Sequence, residues 1–256
     1  STAAGASITP AVQVSGQDAF GNTVPGFAAN VTVALGANPG GGTLSGTKTV
    51  APVGGVATFS DLSVNKSGTG YTLTAAASAV SPATSAAFNV PSGAAAQLVF
   101  TVEPSNTTAG ATITPAVQVT AEDALGNTAT GFTGTVTVAL EANPGGGTLS
   151  GTTSVAAVNG VATFANLSIN KVGTGYTLSA TGSGVTSRTS AGFNIAAGTA
   201  SQLVFSVQPS NTTAGAAITP AVQVTAQDAQ GNTAPGFTGT VTVALEANPG
   251  GSTLAG

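Results

Sequence analysis

Gly134-Thr135-Val136-Thr137-Val138-Ala139-Leu140 places Val136, Val138 and Leu140 on one side of an extended chain and Thr135, Thr137 and Ala139 on the other. Alternation of this kind reads as a strand with one buried face and one wet face, the pattern of an antiparallel sheet. The stretch recurs as Gly239–Leu245 and, shortened, as Val31–Leu35. Working outward, Ile8-Thr9-Pro10-Ala11-Val12-Gln13-Val14 returns at Ile113 and at Ile218, a period of 105 residues. Residues 97–151 and 202–256 differ at eight of 55 positions, and Ser1–Gly46 aligns with 106–151 and 211–256 without a gap. Self-similarity at the size of one small domain is the mark of a tandem array. The expected units are 1–95, lacking the first strand of the repeat, 96–200, complete, and 201–256, the N-terminal part of a third, so the chain reads as a window on a longer array.

The complete copy supplies the template. Strand signals bounded by Gly, Pro and Asn fall at Gln97–Glu103, Ala116–Glu122, Gly134–Glu141, weakly at Thr148–Ala156, then at Gly160–Phe164, Gly175–Thr181 and Ala191–Ile195. About seven short strands per copy, with no helical periodicity, predict an all-β fold of two-sheet sandwiches. Asp123-Ala124-Leu125-Gly126-Asn127 reads as a hairpin turn in which Gly supplies positive φ and Asp bonds the local backbone. The linker Ala196–Ser201 spans at most about 20 Å, so neighbouring units are expected to sit close together. The expected bead spacing is roughly 35–45 Å.

Nine of ten phenylalanines occupy equivalent places: Phe27, Phe132 and Phe237; Phe59 and Phe164; Phe88 and Phe193; Phe100 and Phe205. These are expected as core anchors. Phe20 is replaced by Leu125 and Gln230, which predicts an exposed turn tip. Tyr71 and Tyr176 each follow Gly-Thr-Gly and suit a tyrosine corner, the hydroxyl tying down the preceding loop.

Composition narrows the functions. The chain has no Cys, Met, Trp or His, and only 5% of its residues are charged. Without His or Cys, the many Ser and Thr hydroxyls lack a base to activate them. Glu122 and Asp123 are adjacent and so point to opposite faces of a strand, and the other copies carry Gln17 and Gln227 in place of the Glu. No catalytic residue is expected. A net charge of −4 without a basic cluster argues against nucleic acid and anionic lipid as partners. Mean hydropathy is +0.35, yet the apolar runs fall well short of the ~20 residues a spanning helix needs, so no membrane insertion is expected.

Calcium is the metal worth testing, with Asp18, Asp123 and Asp228 as its weak candidates. Ca²⁺ takes about 6–8 oxygens, whereas each copy offers one recurring acid, so the turn-capping role is preferred and no cofactor is expected. Lys66 and Lys171 recur in Asn-Lys-x-Gly loops; a Lys–Asn cross-link is the minor reading and a solvated tip the main one. Asn-x-Ser/Thr sequons at Asn30, Asn65, Asn106, Asn166 and Asn211 are about as many as chance provides in so Ser- and Thr-rich a chain.

Val-Gln-Val-Thr-Ala-Glu-Asp-Ala-Leu-Gly-Asn (117–127), Gly-Thr-Val-Thr-Val-Ala-Leu (134–140), Asn-Gly-Val-Ala-Thr-Phe (159–164) and Gly-Thr-Gly-Tyr-Thr-Leu-Ser-Ala (173–180) resemble the bacterial immunoglobulin-like repeats of invasin- and intimin-type surface proteins. The resemblance runs over the whole chain. It implies tandem Ig-like sandwiches in an extracellular rod on a bacterial cell surface. The barrel anchor and lectin-like tip of those proteins have no counterpart here, so their receptor binding is not carried over.

Three functions follow as expectations. The first is a non-catalytic stalk or filament shaft. Its outward positions are mostly Thr, Ser, Ala and Gln, where soluble sheets usually carry guarding charges, which favours self-association or packing against neighbouring repeats; a glycan coat is the competing explanation. The second is an adhesive module that engages a host protein or glycan through loops such as Asp18–Asn22 or Pro39–Gly42, with weak contacts summed over copies. The third is a spacer attached to a secreted enzyme.

Overall fold

The computed structural model describes residues 2–255, and among them there is no helix, so none long and apolar enough to cross a membrane. The alternating stretch forms the strand Thr135–Leu140, with Val136 and Val138 buried. It is paired on both sides, to Ser154–Ala156 and to Leu178–Gly182, and Arg188–Thr189 extends the sheet. A second sheet runs Gln97–Val102, Val117–Glu122, Val161–Phe164, all antiparallel. The two sheets close on one core, in which Leu98, Phe100, Val117, Val119 and Phe164 meet Val136, Val138, Leu178 and Ala180. This is a β-sandwich. A third, smaller sheet joins Thr107–Thr108, Phe193–Ala196 and Gly173–Tyr176, the first pair parallel.

A separate core lies within residues 31–90, built from the equivalent side chains Val31, Val33, Phe59, Tyr71 and Leu73. Its sheets repeat the same plan: Thr49–Val50, Val31–Leu35, Leu73–Ala76 and Ala83–Thr84 form one, and Val12–Ser15 with Val56–Phe59 the other. Here Val12–Ser15 has a partner on one edge only, where Val117–Glu122 has two. In the third copy Gln202–Val207 pairs with Gln223–Gln227, and residues 238–255 carry no strand.

The expected strands are present, with two refinements. The weak signal at Thr148–Ala156 resolves into Leu149–Ser150 and Ser154–Ala156, and Gly175–Thr181 is broken at Thr177 into Gly173–Tyr176 and Leu178–Gly182. The two halves join different sheets, which is why the chain must leave the ladder between them.

The phenylalanines separate into three groups. Phe59, Phe100, Phe164 and Phe193 are buried, while Phe27, Phe88 and Phe132 are half-buried at the core margin. Phe205 and Phe237 are exposed, against expectation, because no second sheet lies beneath the strands of the third copy.

Tyr71 and Tyr176 form the expected corners. Each hydroxyl donates at 2.9 Å to a loop carbonyl, that of Lys66 or of Lys171. The Pro-Gly-Gly-Gly loops rest against these rings: a Cβ on Gly40 or Gly145 would fall 2.3 Å from the tyrosine oxygen. Only glycine fits there. The loop is thus a packed shelf at its base and not a free tip.

Candidate functional site at the joint between copies

Asp123 closes its own turn first. Its Oδ1 accepts the backbone N–H groups of Leu125 and Asn127, each at 2.9 Å, and the Asn127 side-chain amide donates to both carboxylate oxygens. This is the local bonding that favours Asp and Asn in turns. The remaining contacts reach across to the preceding copy. Asp123 Oδ2 accepts the Gly93 N–H at 2.8 Å; Asn127 Nδ2 donates to the Asn65 carbonyl at 3.1 Å, and Asn127 Oδ1 accepts the Ser67 N–H at 3.1 Å. Asn127 therefore uses both ends of its amide, donating and accepting at once.

The receiving loop is held in shape from behind. The Tyr71 hydroxyl fixes the Lys66 carbonyl, and Asn65 Oδ1 accepts the Thr43 N–H at 2.7 Å. From this loop the Lys66 ammonium reaches over the turn to the Gly126 carbonyl at 3.3 Å. The Leu125 side chain lies over Gly5, whose positive φ and missing side chain leave the space: a Cβ there would sit 2.6 Å from Leu125 Cδ1.

The same joint is built again one period later. Gly198 N–H donates to Asp228 Oδ2 at 2.9 Å; Asn232 Nδ2 donates to the Asn170 carbonyl at 3.0 Å, and Asn232 Oδ1 accepts the Val172 N–H at 3.3 Å. Lys171 Nζ donates to the Gln230 carbonyl at 3.3 Å, and Gln230 covers Gly110 as Leu125 covers Gly5. Both acids and both asparagines are buried, Asp123 to 3% exposure, whereas Asp18 and Asn22 make the same internal turn in the open.

Three sequence expectations bear on this joint. The turn-tip position is exposed in all three copies, Phe20 at 90% and Leu125 at 43%, while Leu125 and Gln230 also pack one side against a glycine of the preceding copy. Lys66 and Lys171 are not solvated tips but caps on backbone carbonyls across the joint. The acids Asp18, Asp123 and Asp228, read as weak calcium candidates, direct their oxygens to N–H donors. At Asp123 and Asp228 both carboxylate oxygens are engaged in this way, the turn-capping geometry, whereas Asp18 Oδ2 accepts only the Asn22 side-chain amide. What sequence reasoning missed was the joint itself. Its signal was the paired recurrence of Asp-x-x-Gly-Asn and Asn-Lys-x-Gly at fixed separation.

Electrostatics favour the ionised latch. Burial, the largest influence on Asp123, raises its pKa, but the hydrogen bonds from Asn127, Gly93 and Leu125 together outweigh it and hold the carboxyl below the usual carboxylate range. Asp228 is depressed in the same manner by Asn232, Gly198 and Gln230. Asp18 is lowered chiefly by the Asn22 backbone and side chain.

No protein-family model matches the chain, and no curated protein matches it. Among solved structures, FdeC, a broadly conserved Escherichia coli adhesin, is similar at 20% identity and a TM-score of 0.43, over 90% of this chain and 71% of that one. Invasin, a bacterial integrin-binding protein, is similar at 17% identity and a TM-score of 0.35, over 93% of this chain and 47% of that one. A β-glycosidase from Bacteroides vulgatus matches at 12% identity and a TM-score of 0.33, over 63% of this chain and 21% of that one.

Proposed function

We propose that the chain is a non-catalytic shaft segment of an extracellular bacterial surface protein, in which units 1–95, 96–200 and 201–256 are fastened in series by the Asp–Asn latch. The observation that carries this reading is the repetition: the same hydrogen bonds, from residues 105 positions apart, close both joints. A joint of several hydrogen bonds around a buried carboxylate restrains bending in a way that a bare linker does not. Binding loops fit the bonding less well, since Pro39–Gly42 rests on Tyr71 and two of the three Asp-x-x-Gly-Asn turns are consumed by joints. Side-by-side packing of shafts through their low-charge flanks belongs to the same reading.

Small-angle scattering on the chain and on Asn127→Ala tests it. A single extended envelope for the wild type, replaced by a broad distribution of bend angles in the variant, supports a latched shaft. Free reorientation of the two cores in the wild type overturns it.

A further inference from the structure

Thr107–Thr108 and Phe193–Ala196 come from opposite ends of the complete copy and yet run side by side, parallel, with Thr107 opposite Ile195 and Thr108 opposite Ala196. The pairing is prolonged at both ends. Downstream, the Ala109 N–H donates to the Ala196 carbonyl at 2.9 Å. Upstream, where the backbone ladder has not begun, side chains take its place: Asn106 Oδ1 accepts the Asn194 N–H at 2.7 Å, and Glu103 Oε2 accepts the Ala191 N–H at 2.9 Å. The first copy repeats the downstream bond, from the Ala4 N–H to the Pro91 carbonyl at 2.9 Å. On its other edge Phe193–Ala196 is held by Gly173–Tyr176, and Phe193 and Ile195 are buried in the core. Thr107–Thr108 has no second strand partner among the described residues.

The direction of these strands decides how the joined copies load them. Ala196 leads into the linker to the following copy, and Gly110, just past Thr108, lies under Gln230 of that same copy. Both strands therefore run toward the following copy, while Glu103 is reached from the preceding one through Gln97–Val102. Tension along the chain drags Thr107–Thr108 backward and Phe193–Ala196 forward. Opposite pulls along parallel strands load all the bonds between them together, in shear, whereas an antiparallel pair would be pulled from one end and would peel bond by bond. Gln97–Val102 is loaded first, but its six residues yield an extension of only about 20 Å before Glu103 is drawn taut.

We infer that residues 103–109 and 191–196 form a tension clamp, which sets the rate at which a copy unfolds when the array is pulled. The inference rests on the shaft reading, which supplies the tension. Glu103 and Asn106 are the clamp's own side chains, since each serves a backbone N–H that the two-residue strand Thr107–Thr108 is too short to reach. The next copy carries Gln208 and Asn211 at these positions, and both side chains offer the same kind of acceptor oxygen. Forced unfolding is governed by the barrier crossed under load, so bonds that break at that barrier count for more than equal bonds elsewhere in the sandwich.

Constant-force tweezers on the 256-residue chain, held by handles at its two ends, test this. The event of the complete copy is recognised with the double variant Thr108→Cys, Ala196→Cys: the protein has no native cysteine, and a disulfide between these opposed positions abolishes the long extension of this copy until it is reduced. Asn106→Ala is expected to raise the unfolding rate of this copy under load roughly fivefold, the equivalent of one hydrogen bond. Asn106→Asp keeps the acceptor and is expected to stay near the wild-type rate. Asn166→Ala, which removes hydrogen bonds to Thr152 away from the two strands, is expected to lower Tm and leave the rate under load unchanged. A rate under load that Asn166→Ala raises as much as Asn106→Ala does, or that Asn106→Ala leaves unchanged, overturns the inference, as does a long extension that persists in the oxidised double variant. Bending at a joint leaves every copy folded, so the Asn127→Ala scattering experiment succeeds or fails independently of these rates.

Discussion

Phe27 covers Gly16, whereas Phe132, its equivalent one period later, covers Gly134. A Cβ on Gly16 would fall 2.5 Å from the Phe27 ring, and one on Gly134 would fall 2.8 Å from the Phe132 ring. The residues aligned with those two glycines are Ala121 and Ala29, so each copy has one glycine and one alanine in opposite order, and the ring lies on whichever position lacks a side chain. The third copy, with Ala226 and Gly239, follows the second: a Cβ on Gly239 would meet Phe237 at 2.6 Å.

The exchange is testable as a cycle. Gly16→Ala alone is expected to cost about 1–3 kcal/mol through overpacking. Adding Ala29→Gly opens the pose that Phe132 adopts, and the double variant is expected to recover part of that loss despite the entropic cost of the new glycine, roughly 0.5–1 kcal/mol. Denaturant unfolding of the four proteins measures the coupling.

Tyr71→Phe removes a hydroxyl that holds the Lys66 carbonyl and supports the shelf at Gly40. The expected loss is about 1 kcal/mol, near 4–8 °C in Tm for a unit of this size. Calorimetry should show the shift in the transition of the first core and leave that of the second in place.

Acid should loosen the joints before it unfolds the cores. Asp123 and Asp228 have folded pKa values below the unfolded value of about 3.9. Their contribution is therefore fully present above about pH 4 and lost as pH falls through the depressed folded values. Scattering profiles are expected to superimpose from pH 5 to 8 and to broaden only once the pH falls below the ordinary carboxylate range, and Asp123→Asn should broaden them already at pH 7.

Calcium and chelator are expected to leave Tm and scattering unchanged, because N–H donors already occupy the oxygens of Asp123 and Asp228. A rise in Tm with millimolar Ca²⁺ would revive the acids as ligands.

Strands, turns and tyrosine corners were legible because each is written locally: period-2 alternation at Val136 and Val138, Asp123 with Gly126 and Asn127, Tyr176 after Gly-Thr-Gly. The joint was not, since Asn127 reaches a partner 62 residues away and bonds to backbone groups that any residue could supply. Nor could alternation show that Phe205 and Phe237 lack an opposing sheet; periodicity marks the side of a strand that seeks cover, not whether cover exists. The split at Thr177 was hidden for a related reason, as two strands of one apolar run serve different sheets.

Every stretch of 105 residues brings both halves of the fastening with it: the Asp-x-x-Gly-Asn hook near its start and the Asn-Lys-x-Gly eye farther along. Duplicating or deleting one whole period therefore leaves each surviving hook facing an eye that fits. Reach can be altered by recombination alone, in steps of one bead, with no compensating substitution anywhere else.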